Sequence, residues 1–228
     1  MIQNPTIQQL KQLVAHLQSL VFPDYYPAVE APKGLPLPEE FWAQVPEISR
    51  KIQTDVDAVL HNDPAVADRG EVILSYPLPF AMVHYRAAHV LYQLGVPRIP
   101  RMLTELAHSR TGIDIHPAAQ IGDYFCIDHG TGVVIGETTI IGSHVVLYQG
   151  VTLGAKNFEY DEEGRPIDLP RHPILEDHVT VYSNTSILGR VRIGANTVIG
   201  GNVWLTQDVP ANSIVLQSNP EIRIKNKS

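Results

Sequence analysis

Residues 174–205 read ILEDHVTVYSNTSILGRVRIGANTVIGGNVWL. An aliphatic side chain returns at every sixth position: Leu175, Val181, Ile187, Ile193, Ile199 and Leu205. The same spacing runs upstream through Ile115, Ile121, Ile127 and Val133. There the phase slips by two, and Ile135, Ile141, Leu147 and Leu153 carry it on. Glycine follows several of these aliphatics, as in Ile121-Gly122, Ile141-Gly142 and Ile193-Gly194. A second apolar set, including Val191, Val203, Val209 and Val215, falls four residues after the first. A helix repeats near 3.6 and an ordinary half-buried strand near 2, so neither explains a period of six. Three short strands per triangular coil do, at about 18 residues a coil. The repeat predicts a left-handed parallel β-helix whose aliphatics point into a narrow prism, with glycine at the corners where the chain needs unusual φ or close approach.

The repeat is interrupted over residues 156–171, KNFEYDEEGRPIDLPR, which reads as a loop extruded from a coil; long loops on a rigid scaffold often carry function. Upstream of residue 110 the period becomes helical. Ile7, Leu10, Leu13, Val14, Leu17, Leu20 and Val21 form one stripe, and Phe41, Val45, Ile48, Ile52, Val56, Val59 and Leu60 another. Further helices are expected over 79–94, capped by Gly95 with Pro97 beyond, and over 99–109. The expected organisation is an α-helical region over 1–110, a β-helix over 111–216 and a C-terminal tail over 217–228.

The chain has 228 residues, 44% hydrophobic and 18% charged, with a formal net charge of -7. That balance disfavours a nucleic-acid partner, although a local basic patch can still meet a phosphate. No apolar run approaches the ~18 residues that span a bilayer. The single cysteine, Cys126, excludes an internal disulfide framework and any CxxC site. It precedes Ile127, so its side chain is expected outside the prism as a small packed group. With no basic head and apolar block at the N-terminus, a cytoplasmic protein is expected.

Chemistry concentrates in residues 112–137, GIDIHPAAQIGDYFCIDHGTGVVIGE, which carry Asp114, His116, Asp128, His129 and Glu137. Asp114 and His129 are 15 apart, a spacing that could place them together on successive coils. A histidine oriented by a carboxylate is a common general base. The alternative is that each histidine satisfies a local backbone group. Arg171-His172-Pro173 closes the extruded loop; an arginine there could hold a carboxylate, or could be a surface residue followed by a capping histidine. Zinc is the rival use of His116, His129, His144, His172 and His178, none of which forms a short-spaced pair; no metal is expected.

The motifs DIHP (114–117), IDHGTGVVIGE (127–137), QGVTLG (149–154), RHP (171–173) and ILG (187–189), in this order, resemble the serine O-acetyltransferase family. Upstream DPAV (63–66) and YRAAH (85–89) are similar to its helical region, so the resemblance covers roughly residues 60 to 215. It implies transfer of acetyl from acetyl-CoA to the hydroxyl of L-serine, giving O-acetyl-L-serine in cysteine biosynthesis, with no covalent acyl-enzyme. A same-fold acetyltransferase acting on homoserine, phosphoserine or another small acceptor, a zinc lyase like the γ-type carbonic anhydrases, and a catalytically silent scaffold remain as alternatives. By resemblance, His129 is the base, Asp114 its orienting carboxylate and Glu137 a further site carboxylate. Asp128, Arg171 and His172 bind the amino acid, and Gly154, Ala155, Ser183 and Gly201 meet CoA. Many members have an aspartate where this chain has Ala67; either Asp63 or Asp68 substitutes for it, or the contact is absent. The resemblance also implies a homotrimer or a dimer of trimers with active sites between subunits. Members that bind the next pathway enzyme do so through a C-terminal isoleucine; this sequence ends Ile224-Lys225-Asn226-Lys227-Ser228, so that complex is not expected.

Overall fold

The computed structural model describes residues 5–158, 160–165, 167 and 169–218. The end of the expected tail, including Ile224, lies outside the described residues. Among the described residues, five helices come first: α1 (Ile7–Val21), α2 (Glu39–Asn62), α3 (Arg69–Ser75), α4 (Pro77–Gln93) and α5 (Ile99–Thr111). Four were expected. α3, which was not, is only seven residues long, too short to display a helical period. Thr6 opens α1 with a capping box: its side chain accepts from Gln9 N, and the Gln9 side chain accepts from Thr6 N. Pro77 and Pro79 sit in the first turn of α4, where no intrahelical N–H is lost. The stripes of α1 and α2 close a core within the chain: Leu10, Leu13, Leu17, Phe41, Ile52 and Val56 are fully buried with Leu78, Met82 and Leu91 of α4. Gly112 ends α5 at φ 72°, a left-handed conformation suited to glycine, and turns the chain into the coil.

Fourteen short strands among the described residues then wind into three parallel sheets. The first holds β1 (Asp114–Ile115), β4 (Val134–Ile135), β7 (Thr152–Gly154), β10 (Ser186–Leu188) and β13 (Trp204–Leu205). The second holds β2 (Gln120–Ile121), β5 (Ile140–Ile141), β8 (Ile174–Leu175) and β11 (Arg192–Ile193). The third holds β3 (Cys126–Ile127), β6 (Val146–Leu147), β9 (Thr180–Val181), β12 (Val198–Ile199) and β14 (Ile214–Val215). Together with the hexapeptide pattern this is the left-handed β-helix that the repeat implied.

The register explains each break in the repeat. Ile135 pairs with Leu153, and Leu175 with Ile193, one regular coil apart. Ile115 pairs with Ile135, two residues further on than a regular coil, because the turn between β3 and β4 is widened by two. Ile141 pairs with Leu175 across the extruded loop. The last coil is shortened by two, pairing Ile199 with Val215 and Ile193 with Val209. Two assignments from the period therefore change. Val133 is an inward residue two before the strand position, and Val209 and Val215 are themselves strand-register residues. A hexad has two inward positions, so a slip of two exchanges them without exposing an apolar side chain. Cys126 points outward as expected and is buried where α2 packs on β3; burial pushes its thiol up to about 12.

The YRAAH segment joins the two regions. Tyr85 donates to the Ala119 carbonyl, and Arg86 donates to the carbonyls of Ile121 (2.6 Å) and Gly122 (2.7 Å). Arg86 also holds the buried Asp55 carboxylate at 2.9 and 3.2 Å, and that carboxylate accepts from Phe125 N. Among the described residues, no helix is long and apolar enough to cross a membrane.

Candidate active site in two halves

Most of the sequence-predicted site residues line two clefts, one on each long side of the first sheet where its strands begin and end. The first is built on the widened turn between β3 and β4. His129 adopts φ 57° there, and its side chain is 73% exposed. Its Nε2 lies 4.0 Å from Asp128 Oδ1. The chain after α2 and the junction of α3 and α4 face this turn. They enclose a cleft of about 360 Å³ lined by Asp63, Ser75, Tyr76, Pro77, Asp128, His129 and Thr131. The Tyr76 hydroxyl donates to Asp63 Oδ2 at 2.6 Å, and Ala65 N donates to Oδ1 at 2.8 Å. These bonds hold the Asp63 carboxyl below its usual range, while the Asp63 carboxylate and burial push the Tyr76 hydroxyl up to about 12. The cleft is acidic, with one exposed imidazole.

Of the two aspartates expected to stand in for Ala67, only Asp63 lines this cleft. Asp68 instead caps a helix: its side chain accepts from Glu71 N at 2.9 Å at the start of α3. An aspartate satisfies an otherwise unpaired first-turn N–H, which is a structural duty.

The second cleft, about 260 Å³, is lined by Arg101, Asp114, His116, residues 134–137, Phe158, Arg171 and His172. Asp114 pairs with Arg101 at 3.2 Å. Arg171 is bonded to Glu137 and lies over the ring of Phe158, which the extruded loop brings to the cleft. Thr138, which the sequence reading did not single out, organises the rest. Its Oγ1 accepts from Arg171 N (2.9 Å) and His172 N (3.1 Å), and its backbone N donates to His172 Nδ1 (3.1 Å). Nothing in spacing marked it; the bonds arise because the loop returns onto the preceding coil. Burial, reinforced by Arg171, pushes the His172 imidazole down to about 4, so it is neutral. The ring leans on Gly136, where a Cβ would stand 2.0 Å from Cδ2.

Asp114 and His129, expected together, line different clefts. A separation shorter than one coil leaves the later residue a corner behind: Asp114 stacks under Val134, and His129 stands on the turn before it. The CoA-contact candidates divide the same way. Ser183 and Gly201 sit on turns entering the first sheet, and Gly154 and Ala155 where the chain leaves it. The histidines considered for zinc are dispersed. His116 and His172 line the second cleft and His129 the first. His144 and His178 lie at a third corner, where Tyr124, His144 and His178 stack at 4.5 and 4.7 Å, all with positive φ. Among the described residues, a group with donor atoms close enough for a metal is Glu105, His108 and Asp114, but Arg101 already pairs with both of those carboxylates.

The model of the bacterial transferase hexapeptide (six repeats) matches residues 172–207. A plasmid-encoded serine acetyltransferase of Synechococcus elongatus is 49% identical over 197 residues, 86% of this chain; the match spans 62% of that relative's length, less than two thirds. The serine acetyltransferase of Helicobacter pylori is 40% identical over 172 residues, covering 75% of this chain and 96% of the relative. Among solved structures, Entamoeba histolytica serine acetyltransferase isoform 3 in complex with cysteine is 31% identical with TM-score 0.79, over 99% of this chain and 86% of that one. A serine acetyltransferase in complex with CoA is 27% identical with TM-score 0.69, over 90% and 79%.

Proposed function

Since the chain belongs to the serine acetyltransferase family, we propose that it transfers acetyl from acetyl-CoA to the hydroxyl of L-serine, releasing O-acetyl-L-serine and CoA. The observation that carries this reading is the division of charge between the two clefts. One edge offers Asp63 and Asp128 beside the exposed His129; the other offers Arg171 and the neutral donor His172. A zwitterionic amino acid with a nucleophilic side chain needs that set: carboxylates for its ammonium, an arginine for its carboxylate and a base for its hydroxyl.

In a single chain the two halves sit on opposite edges of one sheet, so we propose that a neighbouring subunit completes each site. Complementary halves on different corners make a heterologous contact, which closes into a ring when the rotation from one subunit to the next divides a full turn. A homotrimer is the smallest ring that fits a three-faced prism, and pairing through the helical region would give a dimer of trimers. The Asp114 carboxylate of one subunit then meets His129 of the next and orients its imidazole, while Asp128 and Asp63 hold the ammonium. His129 takes the hydroxyl proton as the serine oxygen attacks the thioester carbonyl. The C–O bond forms, the C–S bond breaks, and the departing thiolate receives the proton from His129. Gly154, Ala155, Ser183 and Gly201 give CoA bare backbone along the same seam. Glu137 holds Arg171 in place. The buried, unreactive Cys126 takes no part and suits the reducing cytoplasm, where we place the enzyme.

The test is CoA release from acetyl-CoA with L-serine, homoserine and phosphoserine as separate acceptors. Serine is expected to be strongly preferred; turnover with another acceptor and none with serine would refute the assignment.

A further inference from the structure

The second cleft contains a hydrogen-bond arrangement whose proton count has one solution. Thr138 Oγ1 accepts from two backbone N–H groups, Arg171 N at 2.9 Å and His172 N at 3.1 Å. Both hydroxyl lone pairs are then engaged, and its own hydrogen must be donated. The partner in reach is His172 Nδ1, at 3.0 Å. The backbone N–H of Thr138 points at the same nitrogen from 3.1 Å. A ring nitrogen facing two donors cannot carry a hydrogen, so the imidazole proton sits on Nε2.

The rest of the residue is fixed as well. The His172 carbonyl accepts from Arg190 Nη1 at 3.0 Å, and the same guanidinium holds the Thr138 carbonyl at 2.7 Å. Gly136 lies against the ring, leaving no room for a side chain. The charged groups around it are Arg171 and Arg190 beside it, Glu137 on the preceding coil, and Asp114, His116 and Arg101 across the cleft. Two cations beside a buried ring agree with its neutral state.

We infer that Thr138 is a positioning residue that locks His172 as an Nε2–H donor, aimed at the carboxylate of the amino-acid acceptor. The inference rests on the proposed function and adds the protonation state and the residue that sets it. With Nδ1 engaged and Nε2 protonated, His172 cannot serve as a second base, so proton removal falls to His129 alone. Beside Arg171, a neutral donor supplies a second directional bond to a carboxylate without a second positive charge.

Two measurements decide it. In histidine-15N-labelled resting protein, the His172 ring signals, identified by their loss in H172Q, are expected to show the Nε2–H tautomer near neutral pH. In kinetics, T138V is expected to raise KM for L-serine about tenfold, the usual effect of removing one clamping hydroxyl. KM for acetyl-CoA should be unchanged, and T138S should restore the serine KM. H172Q, whose amide places a donor where Nε2–H stood, should outperform H172N, whose amide mimics Nδ1. If T138V does not fold, the H172Q and H172N pair still reports which nitrogen is the donor. An Nδ1–H or doubly protonated ring would overturn the inference. So would equal loss in T138V and T138S, or a fall in kcat with serine KM unchanged. Serine turnover with the wrong tautomer refutes the clamp alone; the right tautomer with no serine turnover refutes the substrate reading instead.

Discussion

Gly136→Ala isolates the seating of His172 from every other property of the site. Gly136 does not require a positive φ, so the backbone itself accepts alanine. The new methyl carbon would stand 2.0 Å from His172 Cδ2 and 2.2 Å from Nε2, where ordinary contact begins at 3.4 Å. The ring must therefore retreat by more than an ångström. It cannot do so and keep both the Thr138 bonds to Nδ1 and the Arg190 bond to its carbonyl. Misplacing a substrate-binding group by about 1 Å costs on the order of 10²-fold in rate. Breaking one or two of these bonds costs about 1 kcal/mol each, which lowers Tm by roughly 2–4 °C per bond in a chain of this size. Initial rates of CoA release against serine concentration, with thermal unfolding followed in parallel, measure both. A variant with unchanged kcat/KM and unchanged Tm would show that the ring position is immaterial, and the account of the second cleft would fail.

Replacing His129 by Asn, which tolerates left-handed φ, should lower turnover by about 10²–10⁴ while leaving the unfolding curve unchanged; full activity would remove the base assignment. If the sites are shared, mixing inactive H129N with inactive R171M subunits should regain activity in hybrid oligomers, and mixing that restores nothing would place each site within one chain. Tyr76→Phe should raise the serine KM, and because the Tyr76 bond keeps the Asp63 carboxyl low, the acid limb of the pH profile should move upward; a profile identical to wild type would deny Asp63 its role. His84 and His172 are both held down near 4 in the fold, below the ordinary histidine value of 6.5, so their contribution to stability is complete above about pH 6.5 and disappears as pH falls toward 4. Urea midpoints should follow that fall, and H172Q should flatten it. Arg86→Met leaves the buried Asp55 carboxylate uncompensated and should cost about 3–5 kcal/mol in urea unfolding.

What the sequence determined by itself is the local and periodic part. A hexad records which side chains enter the prism, so the β-helix, its break at the extruded loop and its slip at the DHGTG turn are all written in spacing. The helices with a full amphipathic period were legible for the same reason, whereas α3, only seven residues long, was not. Residue identity also carried chemistry: His129, Asp128, Arg171 and His172 are the types an amino-acid acetylation needs. Tertiary structure alone decided which of them meet. Separation along the chain does not say which corner of a triangular coil a residue occupies, so Asp114 and His129 looked adjacent but stand apart within one chain. Asp63 and Asp68 looked equivalent until one faced the cleft and the other capped a helix. Thr138 carries no signal in sequence, because its partners lie more than thirty residues away and arrive only when the loop closes onto the preceding coil. A repeat is set by each residue's own burial, and a site by contacts between coils.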